Sequence, residues 1–403
     1  MRPVVTALGL GLAGGILFFV LRLPLPWMLG ALIVTTAAAL FGRAIAVPSS
    51  LRTLMVAVLG VMLGSAFSPD IIAQAAKWPA AIAALAFYLS LSTALVFLWF
   101  RMVGGFDVVT AYFSAAPGGL TTMVELGDAL GGDGRRIALV HSMRILLIVS
   151  GIPIFFRFLE AGAAPPPLAE ATARLWQDFA HIGLVDGLVL VGCGIVGWWG
   201  GEKLRLPAAA LLGPMICSVV VHLSGLTGST PPSLAIAISQ VVIGSAIGSR
   251  FRGVRLAAIR HTLVVTIGST ALMLGITVGL SFALSGPLGI DWEPLVLAFA
   301  PGGLAEMALI ALALGIGTAF VSMMHVFRIL LIVLVAPLVF RVLAPTRRHM
   351  PLFHHSSDPS ADTGVDAPEG DGADDHEEGE REPEAVVAER RHGEQDRDDQ
   401  PRQ

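Results

Sequence analysis

Two histidine–arginine pairs stand inside apolar segments: His141 with Arg144, and His325 with Arg328. Three residues apart on a helix, the members of each pair share one face. A guanidinium at the centre of a bilayer costs roughly 2.5 to 3.5 kcal/mol on the insertion scale, so each arginine is expected to face the interior and to have a partner. Arg144 lies about eight residues, or roughly 12 Å, beyond Arg136, which puts it near mid-depth in a hydrocarbon core about 30 Å thick. Glu125 and Glu306 are the natural partners, although they are not register-equivalent: Glu306 aligns with Thr122, and Glu125 with Leu309. Two chemistries fit these residues. One is a structural salt bridge; the other is a binding or proton-coupling site in which arginine and helix N-termini hold an anion while Glu or His titrates.

Shortly before each pair the chain reads Pro117-Gly118-Gly119 and Pro301-Gly302-Gly303. Non-helical backbone at membrane depth is tolerated only where it is buried in protein or lines a wet cavity. Matched Gly/Pro breaks in two halves of a chain are also the sequence pointer to a transporter's central site. A packing kink without a ligand is the alternative. The candidate solute-binding set is therefore Pro117, Gly118, Gly119, Glu125, His141 and Arg144, with Pro301, Gly302, Gly303, Glu306, His325 and Arg328. Asp107 and Asp291, each preceding an apolar helical run, read as N-caps.

Enzyme motifs are absent. No HExxH spacing, Cys/His cluster, Walker A or Rossmann glycine pattern occurs, so neither a metal nor another cofactor is expected and catalysis is not. Cys193 and Cys217 lie in apolar runs without a CxxC or disulfide framework.

The elements that must position these residues are membrane spans. Of 403 residues 55% are hydrophobic and 14% charged, with a mean hydropathy of +0.76; a soluble domain carries about 25% charged residues. Apolar windows of near-spanning length fall at 3–21, 25–42, 51–67, 78–100, 137–158, 182–200, 206–223, 233–249, 261–284 and 318–343, and the broken stretches at 106–130 and 290–316. The first window follows Arg2 as a signal peptide would, but it is long, lacks an A-x-A site and has an internal counterpart, so it reads as a retained span. Ala116-Pro-Gly-Gly-Leu120 recurs at an offset of 184 as Ala300 to Leu304, and His141-x-x-Arg-Ile-Leu-Leu-Ile-Val149 recurs at the same offset as His325 to Val333. Arg22-Leu-Pro24 recurs at an offset of 183 as Arg205 to Pro207. The expected architecture is an all-α integral membrane protein with two homologous halves, 1–158 and 181–343, joined by a linker at 159–180. Lys and Arg counts over the short loops favour halves inserted with opposite orientation. That makes them inverted repeats of five spans each plus a Pro-Gly-Gly segment that does not cross; six parallel spans per half is the alternative. Residues 356–403 carry 17 acidic and 5 basic side chains, which leaves a basic membrane unit and an acidic tail at 344–403 that reads as disordered.

The duplicated A-P-G-G-L and H-x-x-R-I-L-L-I-V motifs make the chain resemble the Gram-negative AbrB family of duplicated membrane proteins, over about residues 1–345. The resemblance implies a multi-pass protein of the bacterial inner membrane. Members are labelled regulators of gene expression, and sometimes ammonia monooxygenases. Transport or export of a small solute, with an anion among the candidates, is the expected function, with a membrane-bound regulator as the alternative. The expected partners are the lipid bilayer and that solute, with no nucleic acid bound directly and a homo-oligomer left open. The paired breaks are also similar to those of ten-helix inverted-repeat carriers of the bile-acid and cation/proton antiporter kinds.

Overall fold

The computed structural model describes residues 2–343 apart from 70, 72–73, 160–168, 171, 174, 176–181 and 255. Fourteen helices lie among the described residues: α1 Arg2–Val20, α2 Pro26–Leu40, α3 Ser49–Ser65, α4 Trp78–Met102, α5 Val108–Ala115, α6 Leu120–Ala129, α7 Gly134–Leu159, α8 Leu184–Lys203, α9 Ala209–Leu223, α10 Ser233–Ser249, α11 Leu256–Leu288, α12 Trp292–Phe299, α13 Leu304–Leu314 and α14 Thr318–Leu343. All ten expected spans appear as helices, and each broken stretch appears as a pair of short ones. Five helices are long and apolar enough to cross a membrane. Most of the expected linker and the whole of the expected tail fall outside the described residues.

Helix boundaries repeat along the chain. α2 and α9 both have 15 residues, α3 and α10 both 17, α5 and α12 both 8, and α7 and α14 both 26. The change of offset from 183 to 184 falls between α2 and α3, where the loop at 41–48 is one residue shorter than its counterpart at 224–232. Arg22, Leu25, Arg205 and Ala208 are the non-glycine residues with positive φ among those described, at 54°, 46°, 53° and 53°. They form two sequence-matched pairs at the turns that open α2 and α9. A left-handed residue with a Cβ costs about 1 to 2 kcal/mol, so the turn is held by its surroundings at the same place twice.

Close approaches fix the helix directions. Gly14 lies against Gly30 and Gly11 against Ala31, so α1 and α2 are antiparallel. A Cβ built on Gly244 would stand 2.5 Å from the Met28 carbonyl oxygen and one on Gly248 2.9 Å from that of Leu32, so α10 runs parallel to α2. Gly60 and Gly64 meet the carbonyls of Leu211 and Met215 in the same way, each 2.5 Å from such a Cβ, so α3 runs parallel to α9. The loop after α9 stays at that helix's end: a His222 Nε2 contact to Ser229 O spans 3.0 Å, and Thr227 Oγ1 donates to Asp186 Oδ1 at 2.6 Å. Hence α9 finishes where α10 starts, which is where α2 starts. α2 and α9, the bearers of the matched Arg-Leu-Pro turns, therefore run in opposite directions.

Each broken segment is a hairpin. Asp133 N donates to Thr110 Oγ1 at 2.8 Å and Gly127 packs on Phe113, which returns the end of α6 to the start of α5. Gly317 packs on Pro294, which returns the end of α13 to the start of α12. α4 and α11 pair antiparallel through Trp99 Nε1 to Val265 O at 2.9 Å, Thr277 Oγ1 to Tyr88 Oη at 2.9 Å and Lys77 Nζ to Gly289 O at 2.6 Å. The first hairpin follows the end of α4 and the second begins beside its start. With 25 residues, α4 is about 37 Å long, so the hairpins enter from opposite ends.

Candidate functional site

The hairpin tips converge on the middle of α4. Ala111 and Ala115 pack with Val96 and Phe100, while Ala298 and Phe299 pack with Leu85 and Tyr88, the Tyr88 and Phe299 rings stacking at 5.5 Å. α7 and α14 bring the two His–Arg pairs to these tips. His141 Nε2 lies 2.8 Å from Phe113 O, and Arg144 Nη2 donates to Ser114 O. Arg328 donates from Nη1 to Ala300 O at 2.7 Å and from Nη2 to Gly302 O. Both guanidiniums are buried, at 2% and 5% exposure.

The broken helices explain this pairing. The last carbonyls of α5 and α12 have no partner within the helix and carry the negative end of its dipole, so a cationic donor is the fitting neighbour. This corrects the expectation that Glu125 and Glu306 would neutralise the arginines. Glu125 is exposed on α6. Glu306 is buried at 8% exposure and within electrostatic reach of Arg328, yet makes no ion pair with it. Asp107 caps α5 by accepting from Thr110 N at 2.9 Å. Partial burial pushes its carboxyl upward, and the hydrogen bonds from the Thr110 side chain and backbone outweigh that and hold it below its ordinary value. Asp291 occupies the N-cap position of α12 without a side-chain cap bond, so both aspartates stand where expected and one of them makes the bond.

Tyr88 completes the centre and was not singled out in the sequence. It is one of two tyrosines in the chain, fully buried, bonded to Thr277 and within electrostatic reach of both Arg144 and Arg328. The two arginines are also within reach of each other. Arg144 Nε and His325 Nε2 are buried without a hydrogen-bond partner. His325 Nδ1 sits 3.0 Å from Val321 O, and the ring also lies beside the Ala300 backbone. The centre thus offers two guanidiniums and an unused N–H. Pro117 and Gly118 are half-buried beside it and Gly119 is exposed, whereas Pro301 and Gly302 are buried. Among the described residues no group of three or more His, Cys, Asp or Glu side chains could hold a metal ion.

Residues 27–344, both hairpins included, match the family described as Transition state regulatory protein AbrB. The chain belongs to the AbrB family. It is 28% identical over 354 residues to the "Uncharacterized protein YhjN" of Bacillus subtilis (strain 168), covering 82% of this chain and 90% of that one. It is 27% identical over 331 residues to the "Putative regulator AbrB" of Escherichia coli (strain K12), covering 81% and 92%. No solved structure matches. The family region begins at α2, so it contains both left-handed turns' helices, both tips and both His–Arg pairs.

Proposed function

We propose that this AbrB-family chain is a secondary transporter of a small anionic solute in the bacterial inner membrane, with its site between the two Pro-Gly-Gly tips. The observation that carries this reading is the pair of buried arginines, one per half, lying within electrostatic reach of each other without an ion-paired carboxylate. Two like charges in a low-dielectric centre repel, and an anion is the ligand that relieves this.

The duplicated unit and its inverted arrangement belong to the same proposal. They are supported by the matched helix boundaries, the paired left-handed turns and the opposite directions of α2 and α9. Hairpins that enter from opposite ends and stop at the centre fit five crossings per half with a re-entrant sixth segment. One end of the bundle collects Arg43, Arg52, Arg101, Arg135, Arg136, Lys203, Arg205, Arg250, Arg252 and Arg260, while the other carries Arg22, Lys77 and Arg157. By the positive-inside rule the arginine-rich end faces the cytoplasm.

The test is flux in proteoliposomes, screening small carboxylates and phosphates with the full chain. Arg144→Met and Arg328→Met should each abolish uptake of whichever anion the unaltered protein carries; uptake that persists in both removes the site. The name of the Escherichia coli relative favours a second reading, a membrane-bound regulator. That reading expects a direct cytoplasmic partner, and a clean pull-down alongside measured flux would leave regulation as an indirect effect of transport.

A further inference from the structure

The two halves do not hold the same conformation, and we infer that the difference is a gate: Lys77 latches the arginine-poor end shut while the arginine-rich end stands open, and His261 is the latch of the opposite state. The inference rests on the transport reading above and adds its conformational device.

At the arginine-poor end Lys77 Nζ donates to Gly289 O at 2.6 Å, tying the start of α4 to the turn that leads into the second hairpin. The acceptor lies just past the C-terminus of α11, where a cation is favoured. Gly289 has φ 58° in that turn. Behind the tie is a cavity of about 390 Å³ lined by Ile71, Trp78, Asp291 and Phe320. The 184-residue offset carries Lys77 to His261 and Gly289 to Gly105, whose φ is 62°. The same two partners therefore exist at the arginine-rich end, again a side chain able to donate and a turn glycine opening a hairpin. There they are apart: His261 is exposed, and nothing lies within 4 Å of where a Cβ on Gly105 would stand, whereas Lys77 Nζ is 3.4 Å from one on Gly289.

The hairpins differ in the same sense. On α6, Thr121, Thr122 and Glu125 are exposed, whereas their counterparts on α13, Ala305, Glu306 and Leu309, are 7%, 8% and 1% exposed. A face of two threonines and a glutamate belongs in water, not lipid, so the first hairpin lines an aqueous opening and the second is packed away. Two halves with matching helices can exchange these conformations. The exchange would break the Lys77 tie, form the His261 tie, bury α6 and open α13.

The test needs no solute. In a Cys193→Ser/Cys217→Ser background, Thr121→Cys should react with a membrane-impermeant maleimide from the arginine-rich face, and Ala305→Cys should react slowly from the other. The tie is an exposed charge-assisted hydrogen bond, so Lys77→Met should speed Ala305→Cys labelling roughly tenfold and slow Thr121→Cys labelling, and Lys77→Arg should restore both. His261→Ala should leave Ala305→Cys slow. Unchanged rates in Lys77→Met, or rates that rise together as in general loosening, would overturn the latch. Reciprocal rates in a protein that moves no anion would instead leave the latch standing and remove the transport reading.

Discussion

Replacing each buried arginine by methionine separates a binding role from a structural one, because the two outcomes differ in stability. Arg328→Met keeps the volume of the side chain and removes the donors to Ala300 O and Gly302 O. Both residues are buried, but Ala300 O keeps its hydrogen bond from Gly302 N at 2.8 Å, so one carbonyl, Gly302 O, is orphaned, at about 1 to 3 kcal/mol. Against this, the variant no longer holds a guanidinium in the membrane interior, which costs roughly 2.5 to 3.5 kcal/mol. The opposing terms nearly cancel, so the folded protein should lose no more than about 2 kcal/mol. Arg144 donates to one carbonyl, Ser114 O, so Arg144→Met should be neutral or stabilising. Thermal unfolding in detergent, followed by tryptophan fluorescence, reads this directly. The expected pattern is Arg144→Met melting at or above the unaltered protein, Arg328→Met slightly below it, and both inactive in flux. A loss of several kcal/mol in Arg144→Met would refute the reasoning, since it would show the arginine to be a structural cap whose removal the helix end cannot absorb.

Three further outcomes follow from local geometry. Gly60→Ala and Gly244→Ala each drive a methyl to 2.5 Å from a backbone oxygen, so each should destabilise by about 1 to 3 kcal/mol with similar size, measured by detergent unfolding. Asp107→Ala should destabilise by about 1 kcal/mol, whereas Asp291→Ala, which loses no cap bond, should be near neutral. Because the Asp107 carboxyl is held below its ordinary value, its contribution is present above the unfolded carboxylate pKa and fades as pH falls through the folded one; the gap between Asp107→Ala and the unaltered protein should close in acid. Ala208→Gly removes a Cβ from a residue at φ 53° and 53° is matched by Arg205 in the same turn, so it should stabilise by up to about 1 kcal/mol, and a lowered melting temperature would count against strain at that turn.

The apolar windows located all ten long helical segments, because a helix meant for an apolar surrounding must be apolar along most of its length. The Pro-Gly-Gly breaks marked the tips, since those residues cannot continue a helix. What the sequence left open was the partner of each arginine. A residue-by-residue reading sees side chains and assigns Glu125 and Glu306 to Arg144 and Arg328; it does not see that a broken helix presents its own carbonyls as a negative group at the same place. Tyr88 was hidden for a related reason: an aromatic in an apolar span reads as packing until the opposite helix brings Thr277 to its hydroxyl.

The same logic explains why a chain with near-identical tips can be chemically lopsided. The backbone features recur in both halves because the fold needs both: the left-handed turn before α2 and α9, the glycines at 60 and 244, the arginine on each broken helix. The titratable acid does not recur: position 306 is glutamate and its counterpart is Thr122. Two equal acids would neutralise two arginines and leave the centre without net charge. With one carboxyl near Arg328 that makes no ion pair with it, and none equivalent beside Arg144, the centre keeps an excess of positive charge, and that excess is what a single small anion would balance. Thr122→Glu supplies the missing acid. It should therefore weaken anion uptake while leaving the fold intact, and Glu306→Gln should strengthen anion binding at neutral pH; uptake that rises in Thr122→Glu would show that charge balance at the centre does not govern what the site accepts.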